Sequence, residues 1–339
     1  MAFYATSEIK AYLHSVGLKN VENLEVKRGR NLIVTFTNNS KWLILKKKGS
    51  ANTVFNATSL GNELAFLDNS AKNPEIKEML FLPKAFHFNY SEDILISKYY
   101  KGYKSLMHSK PEEVLFKSIG KQLGTLHSID NCEFKEGLPK INRENLLPEF
   151  DSFTPETITS GGSSVIAYIK FLQKFPDLLS SIGVLYSKYE DDCIIHGDFK
   201  ADNVLVYQKN GKYYFKIIDY EFTSVGDRHY DLGYVLGSFL MKWVYEMKLK
   251  NDTMDFAEDY FGELKKSFKA LIKSYEKRTD VNLDYNRIIR YAGLYLLKIF
   301  FNCSIHSRYL SKNELMLLQI ARNYLVFSDK QTSIHFYDN

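Results

Sequence analysis

The chain has 339 residues, 45% hydrophobic and 25% charged, a globular composition long enough to bury more than one core. Its net charge of +5 comes from 45 basic and 40 acidic residues spread along the chain; beyond Lys46-Lys47-Lys48 no basic block exists, which argues against nucleic acid as a partner. The 3 scattered cysteines give neither disulfide framework nor metal spacing, charge enters MAFYATSEIKAYL too early for a secretory leader, and no apolar run approaches a membrane span, so a reduced, cytoplasmic protein without a membrane partner is expected.

Residues 7–16 predict a short helix, with Ser7 as N-cap and Gly17 as the stop. NLEVKR (23–28), NLIVTFT (31–37) and KWLILKK (41–47) follow as strands, and the separators GR and NNS make them an antiparallel meander. A helix is expected around 61–69, then strands over 81–88 and 93–100. From residue 104 the periodicity turns helical, and in 111–129 Val114, Ile119, Leu123 and Leu126 form much of one apolar face. Residues 131–163, with Pro139, Pro148, Pro155 and Gly161-Gly162, read as a loop-rich insertion or lid. Helices resume over 164–190 with a break near Pro176, and 231–328 reads as further amphipathic helices.

Within this helical part lies DDCIIHGDFKADNVLVYQKNGKYYFKIIDYEFTSVGDRHYDLG, residues 191–233. Apolar runs 193–195 and 204–207 flank the turn HGDFKADN, and Asn210-Gly211 signals a hairpin into the strand ending at Asp219. Asp198 and Asn203 therefore share a loop, with Asp219 at the end of a paired strand. Oxygen donors without sulfur or paired histidine suit a hard cation such as Mg²⁺, which in turn suggests a phosphorylated substrate.

His196-Gly197-Asp198 followed by Asn203, with Ile218-Asp219 downstream, resembles the catalytic loop and metal-binding aspartate of the protein-kinase-like superfamily. HGD, IDYE, LGTLHSI (123–129) and YDLG (230–233) are similar to the branch of aminoglycoside phosphotransferases and choline kinases. The likeness runs from about residue 20 to 240, and the short step from Asp219 to Asp231 leaves no room for a protein-kinase activation loop. The resemblance implies an α+β, bilobal protein-kinase-like fold: an antiparallel β-sheet lobe with one key helix over 1–100 that binds nucleotide, and a mostly helical catalytic and substrate lobe over 101–339, with a hinge at about 97–103.

It also implies an ATP-dependent phosphotransferase, GTP not excluded, that moves the γ-phosphoryl group in line, with Mg²⁺, to a hydroxyl of a small molecule: an aminoglycoside-, choline- or sugar/amino-alcohol-like acceptor. Asp198 would orient the acceptor hydroxyl, while Asn203 and Asp219 would hold the metal. Lys200 is either a phosphate contact or a solvated loop lysine. Glu221 either supports the metal or is an exposed strand-end glutamate. His196 is read as a brace of the loop, and Asp231 as the N-cap of the helix that follows. A protein or peptide kinase and an inactive nucleotide-binding scaffold are the rival readings.

The same resemblance requires a strand lysine paired with a helix glutamate, and Lys46 with Glu63 fit. Lys47 points to the other face of the strand and is the alternative. The loop KRGRN (27–31) holds one glycine, Gly29; backbone amides near it, or Arg28 and Arg30, could meet phosphate, or the loop is an ordinary hairpin. The backbone of Lys98, Tyr99 and Tyr100 falls where a base would be read. For the acceptor, NDTMDFAEDYFGE (251–263) concentrates acid, but Met254, Ala257, Phe261 and Leu264 make it an amphipathic helix with a solvated acidic side. Tyr291, Tyr295 and Trp243 are read as core in preference to an aromatic cage.

Overall fold

The computed structural model describes residues 5–29, 31–48, 60–73, 76, 81–130, 138, 162–247, 253–306 and 310–330. In chain order the first elements are α1 (Thr6–Ser15), β1 (Val21–Arg28), β2 (Asn31–Asn38), β3 (Lys41–Lys48), α2 (Leu60–Lys72), β4 (Ala85–Asn89), β5 (Ile94–Lys98) and β6 (Lys104–Ser105). Then come α3 (Glu113–His127), α4 (Gly162–Lys174), α5 (Pro176–Ser187), β7 (Cys193–Ile195), β8 (Val204–Lys209), β9 (Lys212–Ile217) and β10 (Ser224–Gly226). Four helices close the order: α6 (Arg228–Met247), α7 (Thr253–Thr279), α8 (Tyr285–His306) and α9 (Lys312–Val326). The expected insertion at 131–163 falls outside the described residues, apart from 138, 162 and 163.

The described chain forms two compact units. The first takes its residues from 1–105, 138 and 204–223. Its main sheet is antiparallel in the order β1-β2-β3-β5-β4, so the expected meander is present and extended by two strands. The tight β2–β3 turn uses Asn39 and Ser40 at φ +48 and +60, a left-handed conformation that asparagine tolerates well. Alternation along the strands sorts the faces. Leu32, Val34 and Phe36 of β2, Leu43 and Leu45 of β3, and Ile94 and Ile96 of β5 pack on Ile9 and Leu13 of α1. Each such side chain contributes about 1.5–3 kcal/mol of burial. Lys46 therefore projects from the face opposite α1. Helix α1 starts one residue earlier than expected, so Ser7 lies in its first turn. Its start is held by Glu8, whose carboxylate accepts the Ala5 N–H at 2.9 Å.

A second sheet, β6-β8-β9, completes this unit. Asn210 and Gly211 turn the β8–β9 hairpin at φ +51 and +72, as their sequence predicts. The Ile217 N–H donates to the Phe81 carbonyl at 3.1 Å, and Phe81 stacks on Phe215. These contacts tie the hairpin to the segment before β4.

The second unit draws on 106–130, 162–203 and 224–330. It is a helical assembly with one small antiparallel pair, β7 with β10. Helix α3 lies along α7, α6 along α8, and α8 along α9. Leu115, Phe116, Ile119, Leu123 and Leu126 bury the inner face of α3. Val114, expected on that face, is 67% exposed, because the true stripe begins one residue later at Leu115. Pro176 opens α5 at its first turn, which explains the break there. The α6–α8 seam is unusually close at Gly233: a Cβ there would lie 2.3 Å from Tyr291 Cβ and 2.7 Å from the Ile288 carbonyl. Only glycine fits. No helix among the described residues is long and apolar enough to cross a membrane.

Candidate active site

Each unit carries one group of the residues singled out by sequence. In the first, β3 aims Lys46 at α2, and the Lys46 Nζ donates to Glu63 Oε2 at 2.9 Å. The same ammonium donates to Asp219 Oδ1 at 2.9 Å. Glu63 is buried, whereas the Asp219 side chain is 29% exposed. Burial pulls the Lys46 pKa down, but Glu63 and Asp219 outweigh it, and the net displacement is upward. The ammonium is thus charged throughout the neutral range. Lys47, on the opposite face, donates to Glu92 at 3.0 Å, so geometry separates the two lysines that sequence left as alternatives.

Asp219 leaves β9 in the left-handed region, at φ +70 and ψ +56. The turn that follows, Tyr220–Phe222, is docked on α2. Tyr220 stacks on Phe66 with centroids 4.5 Å apart, and Asn62 Nδ2 donates to the Glu221 carbonyl at 3.2 Å. Glu221 is 2% exposed, so its reading as an exposed strand-end glutamate is corrected: the turn folds inward onto α2. Gly29 lies exposed in the β1–β2 connection, its N–H directed at the Asn31 carbonyl at 3.2 Å. Arg30 lies outside the described residues. At the end of β5 the Lys98 N–H donates to the Lys84 carbonyl at 2.8 Å and the Tyr99 N–H to the Trp42 carbonyl at 3.0 Å. Those two donors are used within the sheet. The Tyr100 hydroxyl accepts the Lys84 N–H at 3.2 Å.

In the second unit, the loop after β7 brings Asp198, Lys200 and Asn203 together. Lys200 Nζ donates to Asp198 Oδ2 at 2.6 Å. Asn203 Nδ2 donates to the same Oδ2 at 3.0 Å and to the Asp198 carbonyl at 2.9 Å. Two donors on one oxygen fix the carboxylate's orientation. His196 is fully buried, its Nδ1 accepts the Asp198 N–H at 3.3 Å, and its ring meets Phe199 edge-on. Gly197 sits at φ +77, a conformation that suits glycine at this position of the loop.

The loop is anchored from below. Asp231 Oδ2 accepts the His196 N–H at 2.7 Å, and Oδ1 accepts the Gly197 N–H at 3.0 Å. His127 Nε2 donates to Asp231 at 3.1 Å, and the Tyr275 hydroxyl lies 2.8 Å from His127 Nδ1. Ser238 Oγ accepts the Ala201 N–H at 3.0 Å. Asp231 is therefore not an N-cap. Helix α6 already starts at Arg228, and Asp227 precedes it, accepting the His229 N–H at 3.0 Å. Sequence placed His127 in a family-like stretch but gave it no partner.

Asp227 is a second buried anchor that sequence missed. It accepts from His229 Nδ1 at 2.7 Å and from the Tyr291 hydroxyl at 2.9 Å, and Arg287 Nε lies 3.0 Å away. Tyr291 and Tyr295 pack against Tyr230 and Tyr234, while Trp243 pairs with Phe261 and donates to the Ala257 carbonyl. The three aromatics form no cage, as the core reading expects. Leu264 is buried and Asp259 exposed, as the amphipathic reading of 251–263 requires; Asp252 lies outside the described residues.

Groups that could meet a hard cation are, in the first unit, the Asp219 and Glu221 carboxylates and, taken by itself in the second, the Asn203 amide. Asp219 fits best: its carboxylate is part-exposed at a strand end. Among the described residues no three His, Cys, Asp or Glu side chains gather into a metal cage. A sparse oxygen set suits Mg²⁺, which keeps several waters and leans on substrate phosphates.

A β-sheet unit with a lysine–glutamate pair and a helical unit with a braced H-G-D-x₄-N loop define a protein-kinase-like fold. Residues 87–260 match the phosphotransferase enzyme family, and the chain belongs to that family. The ethanolamine kinase of Plasmodium vivax is similar in structure, with a TM-score of 0.56 at 15% identity, covering 97% of this chain and 90% of that one. The choline kinase LicA of Streptococcus pneumoniae gives 0.54 at 15% identity, over 95% and 98%. A spectinomycin phosphotransferase solved with ADP and spectinomycin gives 0.53 at 12% identity, over 97% and 99%. No curated protein matches.

Proposed function

We propose that this phosphotransferase is an ATP-dependent kinase of a small-molecule hydroxyl, acting from a nucleotide-binding lobe over 1–100 and a catalytic lobe over 101–339. The observation that carries this reading is the orientation of Asp198 by Lys200 and Asn203 on one loop. Nucleotide use is further supported by the ADP bound to the spectinomycin phosphotransferase.

In this mechanism Asp198 accepts a hydrogen bond from the acceptor hydroxyl and draws its proton as the oxygen attacks. Both firm donors sit on Oδ2, so Oδ1 is the oxygen offered to the acceptor. Lys200 neutralises charge on the transferred phosphoryl group. Lys46, positioned by Glu63, holds the α- and β-phosphates, and the backbone near Gly29 covers them. The segment Lys98, Tyr99 and Tyr100 borders the base. Asn203, Asp219 and Glu221 would hold Mg²⁺, which when bound neutralises phosphate charge and orients the β- and γ-phosphates. Most of the rate comes from positioning and electrostatics rather than covalent chemistry.

The test is a screen of Mg-ATP consumption over aminoglycosides, choline, ethanolamine, sugars, amino alcohols and hydroxy acids, with Asp198→Asn as control. Consumption that depends on one acceptor and is lost in the variant is expected. Phosphate transfer to protein, or nucleotide binding unaffected by any acceptor, would overturn the reading.

A further inference from the structure

The charge of the acceptor can be argued from what lies beside the Asp198 loop. Helix α6 touches that loop through Asp231 and, two turns on, Ser238. Tyr234 stands between them on the same face of the helix, three residues after one and four before the other. Its ring stacks on Tyr230 at 4.1 Å, and the Tyr230 hydroxyl donates to the Tyr234 hydroxyl at 2.5 Å.

Helix α8 covers this tyrosine pair from the other side. Tyr291 meets Tyr230 edge-on and Tyr295 meets Tyr234 edge-on. Lys298 follows at the next position of that face, with Nζ 5.7 Å from the centre of the Tyr234 ring. The tyrosines are closed to solvent, whereas Lys298 is half-buried. Burial is the main cause that raises the Tyr230 pKa; Lys298 opposes the rise and Asp198 adds to it, so both charges act across the same pair. Tyr234 is raised too, by burial first and also by Asp198.

Among the described residues no carboxylate forms an ion pair with Lys298. Among the described residues, the ring face of Tyr234 is what Lys298 meets. A cationic acceptor near Asp198 would meet like charge, whereas an anionic one would complete the pair.

We infer that the acceptor carries an anionic group, such as a carboxylate, sulfate or phosphate, beside its reactive hydroxyl, and that Lys298 is the residue that selects it. This rests on the reading of Asp198 as the catalytic base. It separates the chain from enzymes that act on polycationic or quaternary ammonium acceptors. Lys298 is a specificity-determining residue; transfer itself does not require it.

The experiment uses the full chain with Mg-ATP and hydroxyl compounds in three charge classes: hydroxy acids, sugar acids and sugar phosphates; neutral sugars and polyols; amino alcohols, choline and aminoglycosides. Turnover is expected in the anionic class. Lys298→Ala should raise KM for that acceptor about tenfold or more, leaving kcat and the KM for ATP nearly unchanged, and Lys298→Arg should restore it. Lys298→Glu should remove the preference while Asp198-dependent chemistry survives. Preferred turnover of neutral or cationic acceptors, with KM unmoved by Lys298→Ala, overturns the inference and leaves the kinase reading standing. ATP consumption with no class would overturn both.

Discussion

Asp231 and Gly197, 34 residues apart, meet through a backbone N–H at 3.0 Å, and the other oxygen of the same carboxylate takes the His196 N–H at 2.7 Å. The loop that carries Asp198 is therefore hung from a buried side chain of α6. Asp231→Asn would turn one acceptor into an NH₂ facing a backbone N–H. A loss of roughly 1.5–3 kcal/mol in urea-unfolding stability is expected, together with lower kcat. Unchanged stability and kcat would exclude the anchoring role.

Lys46 is shared between a buried and a part-exposed carboxylate. Lys46→Met is expected to lower kcat/KM by roughly 10²–10³, as loss of a preorganised electrostatic donor does. It should also destabilise the fold by roughly 3–5 kcal/mol, because Glu63 stays buried without its cation. The double variant Lys46→Met with Glu63→Leu should recover stability and no activity. Lys47→Met, by contrast, should leave activity near wild type, since Lys47 serves Glu92 on the other face.

Much of the candidate site was legible because it is local. The Asn210-Gly211 turn, the H-G-D-x₄-N spacing and the lysine in β3 each depend on a few neighbouring residues, and each is found in place. The supports were not legible. Asp231 and His127 are 104 residues apart, and only the packing of α3, α6 and α7 brings them together with Tyr275. A one-residue offset also moves Val114 from the inner face of its helix to solvent, and Ser7 from the N-cap into the first turn. The same limit explains Glu221, whose burial depends on the docking of its turn onto α2.

Asp227 gives the fold an acid-sensitive joint. Burial raises its pKa, but His229 and Arg287 outweigh that, and its folded value lies below the ordinary carboxylate range. A depressed carboxylate stabilises the fold above its unfolded value and loses that contribution as pH falls through its folded value. Unfolding is thus expected to steepen below about pH 4. Asp227→Asn should flatten that acid limb and lower stability at pH 7. An unchanged acid limb would show that Asp227 does not set the acid sensitivity of the fold.

Gly233 tests the α6–α8 seam. Gly233→Ala puts a methyl group 2.7 Å from the Ile288 carbonyl, and an overpacking loss of about 1–3 kcal/mol is expected. Thermal unfolding reads it directly. No loss of stability would mean that the seam is looser than described.

The role of Asp198 as the base that draws the acceptor's proton is tested by steady-state turnover of Asp198→Asn with the acceptor found in the screen. A fall in kcat of about 10²-fold or more is expected, with nucleotide affinity, measured by calorimetry, within about twofold of wild type. Wild-type turnover in Asp198→Asn would contradict that role.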